Sequence, residues 1–187
     1  IVPKFTFYRK INQHKKNPVE KVLDNPSNWY MMGYFLGDGW ILSNLKKPRH
    51  KNGRDLKPGI KYLICFSVST QDEKEGRLIA RLKETFPTLN KTTNDSGASS
   101  RYEVNDFWWH NLLADFGKYA YGKHIPAWVE NAPPYLIKEF LNGYFDADGS
   151  FDDKQGQRTA SVSLDLCFGI QRLALKIGMT PSINRAK

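Results

Sequence analysis

Residues 141–150 read LNGYFDADGS, and residues 32–40 read MGYFLGDGW. Each looks like a buried helix that ends in a carboxylate and leaves through a glycine. Aligned as Gly33-Tyr34-Phe35-x-x-Asp38-Gly39 and Gly143-Tyr144-Phe145-x-x-Asp148-Gly149, the two agree at five of seven positions, 110 residues apart. One Asp-Gly turn after a buried helix is ordinary structure; two in equivalent surroundings make a repeat. An Asp in the last turn is locally unfavourable, because a helix C-terminus already carries about half a negative charge. Two such ends brought side by side require a cation, and oxygen ligands with several waters suit Mg²⁺, with Mn²⁺ as the alternative. Gly33 and Gly143 supply flat surfaces for close helix packing, and Gly39 and Gly149 the sharp exits.

The flanking elements repeat too. The hydrophobic pattern predicts a helix from about Trp29 to Leu36, capped by Ser27 or Asn28 and apolar nearly all round. Strands are expected over Trp40–Asn44 and Lys61–Ser69, the second with Tyr62, Ile64, Phe66 and Val68 on one face. A helix over Glu73–Phe86 follows, then strands over Leu89–Thr93 and Arg101–Asn105, then an aromatic-rich helix over Asp106–Phe116. After the connector GKYAYGKHIPAWVENAPP the order begins again, with a helix opened by Pro133 or Pro134. Strands over Ser150–Lys154 and Arg158–Leu164, a helix over Cys167–Ile177 and a further strand over Thr180–Arg185 complete the reading. The fold class is therefore α+β, as tandem αββαββα units around two central motif helices.

Composition narrows the partner. With 40% hydrophobic and 13% aromatic residues the 187-residue chain can bury a real core, and its net charge of +9 favours a polyanion. Nucleic acid is the first expectation and an anionic membrane surface the second. No apolar run approaches the roughly 18 residues of a membrane span, and IVPKFTFYRK carries no secretory signal. Cys65 and Cys167 sit in apolar patterns and read as buried, reduced thiols, which fits an intracellular protein. A chain that starts without Met reads as a piece of something longer. The excess charge is local. Residues 1–27, a lead-in arm or linker, hold six cations against two carboxylates, and residues 46–61 hold seven against one. The second run, with Lys46, Lys47, Arg49, Lys51, Arg54, Lys57 and Lys61, reads as a phosphate-binding surface.

Over about residues 28–187 these features resemble the LAGLIDADG homing endonucleases, including those carried inside inteins. That resemblance implies two saddle-shaped antiparallel sheets laid on double-stranded DNA and a metal-dependent double-strand cut. It places Asp38 and Asp148 at the metal-binding catalytic carboxylates, each serving one strand. Gly37 and Ala147 take the positions whose backbone carbonyls also reach the metals. Lys123, in GKHIP, resembles the lysine of the K-x-I-P block that helps activate water or stabilise developing charge. Leu36 replaces the first Asp of the motif, and Asp146, which keeps it, reads as lining the helix end. Base reading would fall to outward strand residues, by alternation Ser43, Lys61, Ser67, Ser69, Lys91, Arg101, Glu103, Asn105, Arg158, Ser161 and Ser163. The four histidines, lacking zinc-ligand spacing, read as surface or packing residues.

The units are uneven: 80 residues separate Gly39 from Tyr119, and 38 follow Gly149. The first repeat is thus assigned to residues 28–119, and the connector with an incomplete second repeat to residues 120–187. A complete second repeat would make a monomer with a pseudo-twofold axis. Two other readings use the same fold: a DNA-binding regulator or RNA maturase that does not cut, and a degenerate endonuclease remnant within an intein. Retention of both Asp38 and Asp148 favours the nuclease.

Overall fold

Asn25 and Pro26 start the first helix, upstream of the Ser27 or Asn28 cap expected from the pattern. In the computed structural model, which describes residues 24–45, 49–51, 54–56, 59–69, 72–92, 99–153 and 156–184, α1 spans Pro26–Asp38. The Asn25 side chain accepts from the Ser27 amide at 3.0 Å, and Pro26 takes the first helical turn, where no amide donor is needed. All residues from Asn28 to Leu36 are buried, as the all-round apolar pattern requires. The second motif helix, α6 (Pro134–Asp148), also opens on a proline; both helices end at their Asp and pass through Gly39 or Gly149.

Between them come β1 (Gly39–Leu45), β2 (Arg49–Lys51), β3 (Arg54–Leu56), β4 (Ile60–Ser69), α2 (Asp72–Thr85), β5 (Asn90–Thr92) and β6 (Ser99–Asn105). Then follow α3 (Phe107–Leu113), a tight turn over Ala114–Phe116, and the short helices α4 (Tyr119–Gly122) and α5 (Ala127–Glu130). After α6 the chain forms β7 (Gly149–Asp152), β8 (Gly156–Thr159) and α7 (Leu164–Lys176). Strands β1, β4, β6 and β5 make one antiparallel sheet in that order, and β7 pairs with β8 in another.

The core lies where α1 and α6 meet the larger sheet. Ile64, Phe66 and Val68 of β4 are fully buried against the helices, and the Tyr34 hydroxyl donates to the Ser67 carbonyl at 2.9 Å. Trp29, Phe116, Trp128 and Phe140 form an edge-to-face and stacked group beneath α1 and α6. Both cysteines are free thiols; Cys65 is buried and Cys167 half-buried. None of the described helices is long and apolar enough to cross a membrane.

Several expectations are corrected. The basic run, whose lack of hydrophobic alternation reads as a loop, contains a hairpin, β2 on β3, with Lys51 opposite Arg54. The strand expected over Arg158–Leu164 stops at Thr159, because Ser163 caps α7: its hydroxyl accepts from the Leu166 amide at 3.2 Å. Ser161 belongs to the same lead-in, its hydroxyl accepting from the Ser163 amide. The described part of Thr180–Arg185, residues 180–184, forms no strand. Lys91 pairs with Tyr102 and so faces the helices; its ammonium contacts Glu75 of α2 at 2.8 Å. Ser43, opposite Tyr62, also faces inward and meets the Nε2 of buried His110 at 3.1 Å.

Candidate active site

Two glycines bring the motif helices together. A Cβ on Gly33 would lie 1.8 Å from the Phe140 carbonyl oxygen, and one on Gly143 would lie 1.9 Å from that of Tyr30. Each would also come within 2.9 Å of a backbone nitrogen, Tyr144 for Gly33 and Tyr34 for Gly143. The contacts are reciprocal, each glycine resting on the main chain that flanks the other. Only hydrogen in place of Cβ permits that approach. One turn on, a Cβ at Gly37 would come within 2.6 Å of the Ala147 Cβ and 3.2 Å of the Asp148 Cβ. The two acidic helix ends are therefore neighbours, and Asp38 and Asp148 share one locality.

Lys123 enters this locality from the connector. Its Nζ donates to the Gly37 carbonyl at 2.7 Å, bridging 86 residues of sequence. Its own carbonyl accepts from the Ser163 hydroxyl at 2.6 Å, and the next residue, His124, donates its amide to the Phe116 carbonyl at 3.1 Å. The main chain around the lysine is thus held on both sides. Burial pushes the Lys123 ammonium below its ordinary range, and Asp148 and then Asp38 pull it back up. Burial likewise pushes the Asp148 carboxyl up, while Lys123 opposes the shift. Two carboxylates and two helix C-termini thus gather negative charge around the Lys123 ammonium.

The tyrosines beneath follow the repeat. Burial, then Asp38, raises the Tyr34 phenol; Tyr144 is pushed up to about 12, chiefly by burial, with Asp148 contributing. Asp146 is occupied elsewhere: it accepts from the Tyr30 hydroxyl at 2.7 Å and lies 3.6 Å from the Arg77 guanidinium. The bond from Tyr30 ties the end of α6 to α1.

The donors present fit a hard divalent cation. Asp38 and Asp148 with the Gly37 and Ala147 carbonyls form an all-oxygen set, and Asp148 keeps an open side to solvent. Gly37 spends one lone pair on Lys123 and retains the other. Among the described residues no three His, Cys, Asp or Glu side chains group as a metal cage, so carbonyls and waters would complete the coordination.

The expected reading surface is partly assembled. On the face of the large sheet away from the helices lie Lys61, Ser67, Ser69, Arg101, Glu103 and Asn105, with Ser67 opposite Arg101 and Ser69 opposite Ser99. Arg101 is fixed there: it contacts Glu103 at 3.0 Å, donates to the Cys65 sulfur at 3.2 Å and stacks over the Trp40 ring. Asn105 accepts from the Tyr62 amide at 2.8 Å. Arg158, opposite Ser150, is exposed on the two-stranded sheet. Lys46, Lys47 and Lys57 lie outside the described residues, as do the side chains of Arg49, Lys51 and Arg54. Trp40, Asn44, Asn90 and Thr92 share the outward face and were not anticipated. The pairing of Trp40 with Cys65 puts that ring on this face, and the position right after the motif glycine was the available signal.

Comparison with known proteins bears on the fold. Residues 136–187 match the family described as a LAGLIDADG-like domain. A DNA polymerase of Thermococcus hydrothermalis is 25% identical over 160 residues, and one of Thermococcus sp. (strain GE8) 26% over 176. The matches cover 83% and 90% of this chain, which spans 9% of the length of each polymerase. Mesophilic variants from the homing endonuclease I-DmoI share the fold at a TM-score of 0.60 and 13% identity, over 87% of this chain and 82% of theirs. I-DmoI in complex with DNA and Mn superposes at 0.58 and 14% identity, over 87% and 85%.

Proposed function

We propose that this chain, which carries a LAGLIDADG-like domain on the fold of the LAGLIDADG homing endonucleases, is itself a site-specific, metal-dependent DNA endonuclease. The observation that carries the reading is the meeting of the two acidic helix ends with Lys123 between them. A protein that only binds DNA gains nothing from placing two carboxylates where a phosphate must come.

Asp38, Asp148 and the Gly37 and Ala147 carbonyls would hold Mg²⁺ or Mn²⁺. A divalent ion bound there supplies Lewis-acid chemistry, lowering the pKa of an attacking water and neutralising charge on the leaving oxygen. The chain's own residues do the rest. Each Asp serves one strand and positions the water that attacks its phosphorus. Lys123 fixes the Gly37 carbonyl and sets a positive charge against the phosphate as negative charge develops. The outward face of the sheet and the basic hairpin hold the duplex, phosphates by Lys and Arg, base edges by Arg101, Asn105, Ser67 and Ser69.

With its second repeat complete, the active unit would be a monomer with a pseudo-twofold axis between α1 and α6, working inside the cell on double-stranded DNA. Similarity to about a tenth of a polymerase's length is what an element inserted in such a gene gives, and it supports an intein-borne origin. The test is incubation with a library of random duplexes in Mg²⁺, followed by sequencing of the ends. The parent should release double-strand ends at one class of site, and Asp38→Asn and Asp148→Asn should each leave a nick. Binding without cleavage by the parent would sink the proposal.

A further inference from the structure

We infer that the connector loop Gly117–Gly122, which includes the single turn of α4, is a second DNA contact, gripping the sugar–phosphate backbone beside the cleaved phosphates through Tyr119 and Tyr121; the inference rests on the endonuclease reading above. The loop has a narrow, fixed neck. Phe116 before it and Ile125 after it are buried, and the His124 amide donates to the Phe116 carbonyl at 3.1 Å. Gly117, at φ +88°, lies so near the returning chain that a Cβ there would sit 1.9 Å from the Gly122 carbonyl oxygen. The His124 ring closes the same neck, its Nδ1 3.1 Å from that carbonyl oxygen.

Beyond the neck every residue from Lys118 to Gly122 is exposed. Tyr119 is 87% exposed and Tyr121 79%, more than any other large hydrophobic side chain described. Tyr119 also adopts φ +58°, a backbone conformation that Gly or Asn takes more easily. Neither packing nor local backbone preference accounts for two aromatic rings here. A ligand that covers them does.

Position and charge choose that ligand. Consecutive Cα atoms are about 3.8 Å apart, so Tyr121 lies within about 7.6 Å of Lys123 along the chain. Lys123 is the residue whose Nζ meets the Gly37 carbonyl beside Asp38. A duplex with its phosphates at Asp38 and Asp148 meets Lys123, and the loop ends on the residue just before it in the chain. The loop carries Lys118 and no carboxylate, which matches a polyanion. A phenol donates to a phosphate oxygen while its ring covers the apolar edge of a deoxyribose. Such contacts are blind to sequence, so the loop sets affinity and the seating of the scissile phosphates, and leaves the choice of site to the sheet.

The test uses the full chain and a duplex that the parent cuts, held uncut with Ca²⁺ in place of Mg²⁺. Hydroxyl-radical footprinting should show the deoxyriboses flanking both cleaved phosphates protected in the parent. In Tyr119→Asn/Tyr121→Ala, where Asn suits the positive φ, that protection should vanish while protection over the outer base pairs stays. Apparent affinity should fall about tenfold, with the selected sequence and the melting temperature unchanged. Tyr119→Phe/Tyr121→Phe should retain the sugar protection and lose part of the affinity. An unaltered footprint and affinity in the Asn/Ala variant overturn the inference and leave the endonuclease standing. Failure of the parent to bind or cut any duplex overturns both.

Discussion

Gly33→Ala tests the helix pair directly. The added methyl would lie 1.8 Å from the Phe140 carbonyl oxygen and 2.9 Å from the Tyr144 nitrogen. Both atoms are main chain, so no side chain can swing aside and the two helices must part. Overpacking of this kind costs about 1–3 kcal/mol, and a backbone obstacle puts this case at the upper end. Ala regains about 1 kcal/mol of helix propensity over Gly. The net expectation is a loss of about 2 kcal/mol or more, which for a chain of this size lowers Tm by about 4–8 °C. Gly76→Ala is the matched control: it is also helical, exposed on α2, and has nothing within 4 Å of an added Cβ. It should gain about 1 kcal/mol, or roughly 2–4 °C. Thermal and urea melts followed by far-UV circular dichroism measure all three proteins. Gly33→Ala should also lose cleavage at temperatures where it remains folded, because parting the helices moves Asp38 away from Asp148. A Gly33→Ala protein that melts at or above the parent, while Gly76→Ala behaves as expected, refutes the backbone-contact account.

Two further outcomes follow from the site's electrostatics and ties. Burial raises the Asp148 carboxyl, so the folded protein binds that proton more tightly than the unfolded chain. Stability from this group is therefore greatest at acid pH and declines as pH rises through the interval between the ordinary carboxylate pKa and the raised one. In metal-free protein Asp148→Asn should accordingly raise Tm at pH 7 and make no difference at about pH 3, below both values. Lys123→Met should enlarge the pH 7 effect by removing the opposing charge; equal melting curves at both pH values would contradict this. Tyr30→Phe removes a 2.7 Å hydrogen bond to the half-exposed Asp146 carboxylate and should cost about 1.5 kcal/mol, or about 3–6 °C. Its single-turnover cleavage rate at 25 °C should match the parent's. A rate loss without further destabilisation would place Asp146 in the chemistry.

The repeat was the most legible part of the sequence, because local signals agree there: apolar on all sides, glycine at the crossing, aspartate and glycine at the end. Periodicity gave the large sheet for the same reason. Faces were harder, since alternation fixes parity and the reader must still choose which parity points inward. Lys91 shows this. Leu89, two residues before it, is buried, so a period of two carries Lys91 to the helix side as well. Ser161 and Ser163 mislead differently, because a serine beside apolar residues fits a strand edge or a helix start equally until Leu166 is seen to donate to the Ser163 hydroxyl. The bond from Lys123 to Gly37 spans 86 residues, and no local pattern can announce it; only the family resemblance pointed to that lysine.

The reciprocal seat of Gly33 and Gly143 also bears on how such a protein can change over generations. The interval between Asp38 and Asp148 is measured out in main-chain atoms, so substitutions of neighbouring side chains have little hold on it. Residues that would read bases stand on another surface, the outward face of β1, β4, β6 and β5, joined to the helices through a core already filled. A new Arg101 or Asn105 can alter which duplex is recognised without lengthening this ruler. The stagger between the two proposed cuts would then pass unaltered from one descendant to the next while their targets diverge.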